Sequence, residues 1–189
     1  MSKLSILPLH FPSAPLYALR TYLIQRPRDI FALHLLSLLL ERDHQLQSAL
    51  NALYDLSSIL EQQYEDNEDP ETLQKFCIVK SDIGRLSLGL GLFEDAVDNS
   101  STSLDLSQEI EGLVRTRLSS HITVGLGYYF MGRMEESLSI FQSVLAESDE
   151  DVDAMLLVSR VLWATGGEQE RNVAVRQLHD MYRCFAVIN

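Results

Sequence analysis

Proline and glycine are scarce in this chain, five and nine among 189 residues. That scarcity argues against many short strands joined by tight turns and for long helices. Cysteine occurs twice, as Cys77 and Cys184, far apart and each inside an apolar helical pattern. Two such residues do not make a disulfide framework. They read as buried, reduced thiols, which points to a cytosolic or nuclear compartment. No apolar run approaches the ~18 residues of a membrane-spanning helix. The best stretch, residues 30–40, is broken by His34 and bounded by Asp29 and Glu41. Near the N-terminus, Leu4, Ile6, Leu7 and Leu9 are interrupted by Pro8, His10, Pro12 and Pro15. A signal peptide needs an unbroken apolar segment, so residues 1–13 read as a non-helical arm or lead-in.

Positive charge is also short: 15 Lys and Arg face 27 Asp and Glu, a net charge of −12. The imbalance is concentrated in residues 61–112, where thirteen acids meet three bases. An acidic surface of this kind repels phosphate, so direct nucleic-acid binding is not expected. The run Glu65-Asp66-Asn67-Glu68-Asp69 reads as a solvated loop.

Catalytic sets are missing as well. The five histidines, at 10, 34, 44, 121 and 179, include no i, i+4 pair, and no cysteine lies beside one. A helical zinc site needs such spacing. His121 reads as a half-buried packing residue. Glu135-Glu136 and Glu109 with Glu111 fall on exposed helix faces, where burial cannot tune a carboxylate for proton transfer. Gly89-Leu90-Gly91 and Gly125-Leu126-Gly127 lack a preceding strand and a phosphate-binding pattern, and read as packing or turn glycines. No cofactor, metal or enzymatic activity is expected.

What the chain does have is helical periodicity throughout. A first helix is predicted over Ala14–Gln25, with Ser13 as N-cap, ending where Arg26 precedes Pro27. Asp29 caps a helix over Ile30–Glu41, and a second helix follows over Leu46–Tyr64. A loop is expected over Asp66–Pro70. Then come helical pairs at about 71–106, 117–147 and 152–185, the last joined by Thr165-Gly166-Gly167. Arg117–Glu150 is a 34-residue window. In it Val124, Gly125 and Tyr128 sit on the first helix, Met131-Gly132-Arg133 form the turn, and Ser137, Leu138, Phe141 and Leu145 lie on the second. Small residues recur at the interhelix crossing: Ser37 and Ala49, Gly84 and Ala96, Gly125 and Ser137, with Ala174 in the last pair. Their spacings of 47, 41 and 37 residues exceed the usual repeat of about 34.

The Arg117–Glu150 pattern resembles the tetratricopeptide (TPR) repeat. The fold expected is therefore all-α: a right-handed TPR superhelix of about four helix–turn–helix repeats of irregular length, over residues 14–189. Such a repeat buries its apolar face only by stacking on neighbours, and the stack offers a groove to other proteins. The Lys/Asn clamp for chaperone C-termini is absent: the corresponding positions hold Phe31, His34 and Leu38, then Ser81, Asp82 and Arg85, then Ser119, Ile122 and Leu126. Arg85, Leu126, Tyr129, Arg160 and Trp163 are the candidates for partner binding on the concave face. Tyr129 and Trp163 fit equally well as core residues, because one step of helix rotation separates the two.

Two stretches carry a narrower resemblance. They are Arg117–Leu126 and Leu156–Glu168, with its Leu162-Trp163-Ala164-Thr165-Gly166-Gly167-Glu168 run, followed by Glu170-Arg171 and Val175-Arg176-Gln177-Leu178. Together these resemble the C-terminal TPR array of the scaffold subunit of the fungal superkiller complex, over about residues 27–180. The resemblance implies a non-catalytic scaffold. It would hold RNA helicase and WD40-propeller subunits in exosome-linked, cytoplasmic 3′–5′ mRNA decay. It also implies that the chain is a piece of a longer protein, with apolar faces at the cut ends open to self-association. The propeller's Gln-Arg-x-x-aromatic motif does not carry over, since Gln25-Arg26 is followed at the required place by Asp29. Two other readings stand beside it. One is a TPR adaptor of another complex. The other is a peptide-binding regulatory helical domain, for which Asn51, Asn99 and Asn172 are few.

Overall fold

A computed structural model describes residues 14–108, 110–147, 152–165, 167–176 and 179. The expected arm at 1–13, Ser13, Cys184 and, His179 apart, the last helix beyond residue 176 lie outside the described residues. The described residues form α1 (Ala14–Gln25), α2 (Ile30–Arg42), α3 (Leu46–Asn67), α4 (Pro70–Gly89), α5 (Phe93–Ser107), α6 (Val114–Phe130), α7 (Met134–Glu147) and α8 (Val152–Thr165). A further helical stretch covers 168–176, and no strand occurs among the described residues. Contacts divide the chain into two units, Met1–Ile59 and Leu60–Asn189.

In the first unit α1 packs on α2 and buries Leu16 completely. Asp29 starts α2 by accepting the Ala32 N–H at 2.9 Å. That bond and the Tyr22 hydroxyl at 2.8 Å hold the Asp29 carboxyl below its ordinary pKa. Helix α2 buries Leu33, Ser37 and Leu40, and α3 buries Ala49, Leu50, Leu53 and Leu56. Ser37 and Ala49 are the small positions that the repeat pattern marks.

The expected loop over Asp66–Pro70 is corrected. Helix α3 runs on to Asn67, and α4 begins at Pro70. Glu68 alone, at φ +49°, ends one helix. Asp69 caps the next, accepting from the Thr72 N–H at 2.9 Å and the Thr72 hydroxyl at 2.8 Å. Proline supports this start because its missing N–H is an orphan donor at the first helical position anyway. The acids of the run are exposed, as expected.

One turn recurs three times. The Gln45 N–H donates to Leu40 O at 2.8 Å, Leu92 to Ser87 at 2.9 Å, and Arg133 to Tyr128 at 2.9 Å. Each bond spans a residue in left-handed backbone: His44 at φ +58°, Gly91 at +79° and Gly132 at +79°. This is the glycine-type helix stop, in which the N–H beyond the αL residue reaches back to an orphan carbonyl. His44 occupies it at a steric cost that glycine avoids. His44→Gly is therefore expected to stabilise the protein by about 0.5–1 kcal/mol and raise Tm by roughly 1–4 °C. Thermal unfolding followed by circular dichroism checks it; a lower Tm would refute the turn assignment.

The helices after these turns start at Leu46, Phe93 and Met134, and the last stretch starts at Glu168. Their spacings are 47, 41 and 34 residues. The last differs from the 37 taken from Ala174. Arg171, whose N–H bonds Gly167 O at 3.1 Å, holds the backbone register of Ser137 and Ala96. Ala174 lies one turn on and is fully buried. The last described spacing is thus that of an ordinary repeat.

In the second unit α4, α5 and α6 pack on one another, α6 on α7, and α7 on α8. Glycines set the close approaches. A Cβ on Gly84 would collide with Ser100 and stand 3.0 Å from Ala96 O. On Gly125 it would come 2.5 Å from the Phe141 ring, and on Gly127 2.5 Å from Val97 Cγ2. Ser137 donates to Gly125 O at 2.7 Å, so the crossing of α6 and α7 is both tight and hydrogen-bonded. Ser100 and Ser103, where the repeat pattern prefers an aromatic and an alanine, are fully buried. Ser103 donates to Cys77 O at 2.8 Å, and Ser120 donates to Ser81 Oγ at 2.9 Å while lying 3.3 Å from Ser103 Oγ. A seam of hydroxyls therefore joins α4, α5 and α6. Cys77 is buried beside it, and burial pushes its thiol up to about 11, which leaves it protonated and unreactive at neutral pH.

Candidate functional site

Four of the five candidate residues come together in the second unit. Ser37, Gly84, Gly125 and Ser159 are buried small residues, each nine positions before the next helix begins. The position after each holds Leu38, Arg85, Leu126 and Arg160. Three residues further on stand Glu41, Leu88, Tyr129 and Trp163. Residues i, i+3 and i+4 share a helix face. Leu126 with Tyr129, and Arg160 with Trp163, are thus equivalent pairs on successive repeats.

Between α6 and α8 lies an open groove of about 460 Å³, lined by Tyr129, Leu156, Ser159, Arg160, Trp163 and Ala164. Trp163 is 56% exposed, so its ring forms the groove wall and not the core. Tyr129 does both: it lines the groove and packs on the cluster of Phe141, Val158, Val161, Leu162 and Ala174. Leu126 packs on the same cluster and lines a small recess with Phe141, Leu157 and Val161. Arg85 is not part of the groove lining. It sits on α4, with its Nη2 3.6 Å from Asp82 Oδ1.

The cations of this region lie on ring faces. The Arg160 guanidinium is 5.9 Å from the Tyr129 ring centre, and Arg171 is 5.6 Å from that of Trp163. Tyr129 meets Phe130 edge-on at 5.4 Å, and Phe130 stacks on Phe93 at 5.2 Å with planes 17° apart. Sequence reasoning did not place Leu156, Phe130 or Arg171 here. The signal for Leu156 is its position four residues before Arg160 on the same helix. Arg171 carries no such signal, because its approach to Trp163 depends on how the 168–176 stretch folds back after the turn. Among the described residues no three His, Cys, Asp or Glu side chains converge as metal ligands. No described helix is long and apolar enough to cross a membrane. His121 is half-buried, and Glu135 and Glu136 are exposed, Glu136 bonded by Arg133 Nε at 2.9 Å. This arrangement is fitted for holding another surface through apolar area, ring faces and guanidinium donors.

No protein-family model matches the chain. Among solved structures, the nearly identical TPR-like repeats of a Podosopora anserina protein described as a kinesin light chain match it. The TM-score is 0.69 at 16% identity, over 88% of this chain and 85% of that one. The fold is that of a TPR array. In sequence, the TPR array is 36% identical over 166 residues to superkiller protein 3 of Schizosaccharomyces pombe, covering 87% of this chain. It is 32% identical over 163 residues to superkiller protein 3 of Saccharomyces cerevisiae, covering 85%. It spans only 12% and 11% of the lengths of those two relatives. The TPR array therefore resembles one part of a much longer protein, along nearly its whole extent.

Proposed function

We propose that this chain is a non-catalytic protein-interaction module of a superkiller-type scaffold. It helps to hold helicase and WD40-propeller subunits for exosome-linked 3′–5′ mRNA decay in the cytoplasm. The observation that carries the reading is the similarity to superkiller protein 3 over most of the chain. The groove formed by Tyr129, Arg160 and Trp163 supports it, since Trp, Tyr and Arg are the side chains that most often anchor interfaces. Leu126 backs this groove, and Arg85 extends the candidate surface onto α4. In the first unit Phe31, Leu35 and Leu38 form an exposed apolar stripe on α2, with Phe31 77% exposed. Such a stripe favours contact with another protein surface, including a second copy of this chain.

The test is a pull-down of the purified superkiller helicase and WD40 subunits on the immobilised chain. At least one is expected to be retained. Trp163→Ala is expected to weaken retention at least about tenfold while leaving helicity unchanged. Retention of neither subunit refutes the assembly, and unchanged retention by the variant refutes the groove as the contact.

A further inference from the structure

The side chains of the groove specify more than a protein partner. Its floor is apolar: Tyr129 and Leu156 face it, above a core that ends in Phe141 and Val161. Among the described residues its one charged lining residue is Arg160, and Arg171 lies against the Trp163 wall. Three other cations pair with carboxylates of their own helix or turn: Lys75 with Glu71 at 2.7 Å, Arg133 with Glu136 at 2.9 Å, Arg85 with Asp82 at 3.6 Å. The guanidiniums of Arg160 and Arg171 lie on ring faces. A ring face holds a guanidinium in place but leaves its in-plane N–H donors open. In a chain of net charge −12, Arg160 in the lining and Arg171 against its Trp163 wall are cations at a groove whose lining holds no carboxylate among the described residues. They would favour an anionic partner where the rest of the chain repels one.

We infer that the Tyr129–Trp163 groove takes an extended acidic peptide segment. One aromatic or aliphatic side chain of the segment fills the trough, and flanking carboxylates meet Arg160 and Arg171. This rests on the reading of the groove as a protein-binding site and names the chemistry of what binds. Single-stranded RNA could also stack on Tyr129 and Trp163. It is disfavoured because two guanidiniums must then offset a phosphate chain running over an acidic protein.

Trp163 is the only tryptophan of the chain, so the groove carries its own reporter. The experiment is a fluorescence titration of the full chain at low ionic strength with the acetylated, amidated hexapeptide DEFELD. The comparators are NQFQLN, DESESD and a twelve-nucleotide oligouridylate. DEFELD is expected to shift Trp163 emission to the blue with saturation. NQFQLN should bind at least about tenfold more weakly, as loss of charge-assisted pairing requires, and DESESD and the RNA should give no shift. Arg160→Glu with Arg171→Glu, both exposed and thus compatible with folding, should lose DEFELD and gain the basic peptide KKFKLK. No shift with DEFELD, equal affinity for NQFQLN, a preference for oligouridylate, or failure of the double variant to switch preference would each overturn the inference. Subunits retained in the pull-down without a DEFELD shift would sink this inference and leave the scaffold; a shift without retention would do the reverse.

Discussion

Phe141→Ala is expected to cost about 3–5 kcal/mol of stability in the second unit, the range for emptying a buried aromatic site. The ring is fully buried and touches both neighbouring helix layers. On one side lies Gly125, on the other Val158, Val161 and Leu162. Helices α6 and α8 therefore lose a common support. The fit against Gly125 makes a sharper test. Gly125→Ala alone pushes a methyl to 2.5 Å from the ring, an overpacking cost of about 1–3 kcal/mol that the better helix propensity of alanine offsets only in part. In the Phe141→Ala background the obstacle is gone while the propensity gain of about 1 kcal/mol remains. Gly125→Ala should then change sign and stabilise. Urea denaturation of the four proteins gives the coupling energy, expected to exceed about 2 kcal/mol. Simple additivity would show that Gly125 and Phe141 do not share one space.

Gly84→Val should be the next most damaging change, at about 3 kcal/mol and a Tm loss of roughly 6–12 °C. What a side chain there meets is the Ala96 carbonyl and Ser100. Serine can rotate its hydroxyl, but a helix carbonyl cannot turn aside without breaking its own ladder. Helices α4 and α5 would have to move apart, opening gaps around Val79, Ile83 and Ala96, all buried. Gly89 is the internal control. It ends the same helix, and a Cβ there meets nothing within 4 Å. Gly89→Ala should be neutral or stabilising by up to about 1 kcal/mol. Similar losses at both positions would mean that backbone preference, and not the helix crossing, governs Gly84.

These glycines show how the fold was legible. Small residues twelve positions apart, Ser37 with Ala49, Gly84 with Ala96 and Gly125 with Ser137, mark crossings in the sequence because only they admit two helices at close range. The turns were visible at Gly91 and Gly132. The one at His44 was visible only as a connection, since histidine gives no sign of positive φ. The acidic run misled because charge and proline suggest a loop, whereas a helix stop and a helix start need only Glu68, Asp69 and Pro70. At the groove, periodicity put Tyr129, Arg160 and Trp163 on the same helix faces. Whether Trp163 faced inward or outward rested on helix rotation, which a pattern with apolar residues on most sides of α8 does not fix. Arg171 was invisible because its position is a tertiary result.

The hydroxyl seam across α4, α5 and α6 has a consequence for a chain built of look-alike parts. Helices of related repeats present similar oily faces, so one can stack on another's neighbour with little loss. Hydroxyls are less forgiving. Ser81, Ser103 and Ser120 meet only when three particular helices arrive in one register, and a wrong neighbour would strand them without partners, at about 1–3 kcal/mol apiece. The seam thus works as an address. It gives one trio of helices an identity that hydrophobic matching cannot supply, and it discourages mispairing while a repetitive chain is still finding its order.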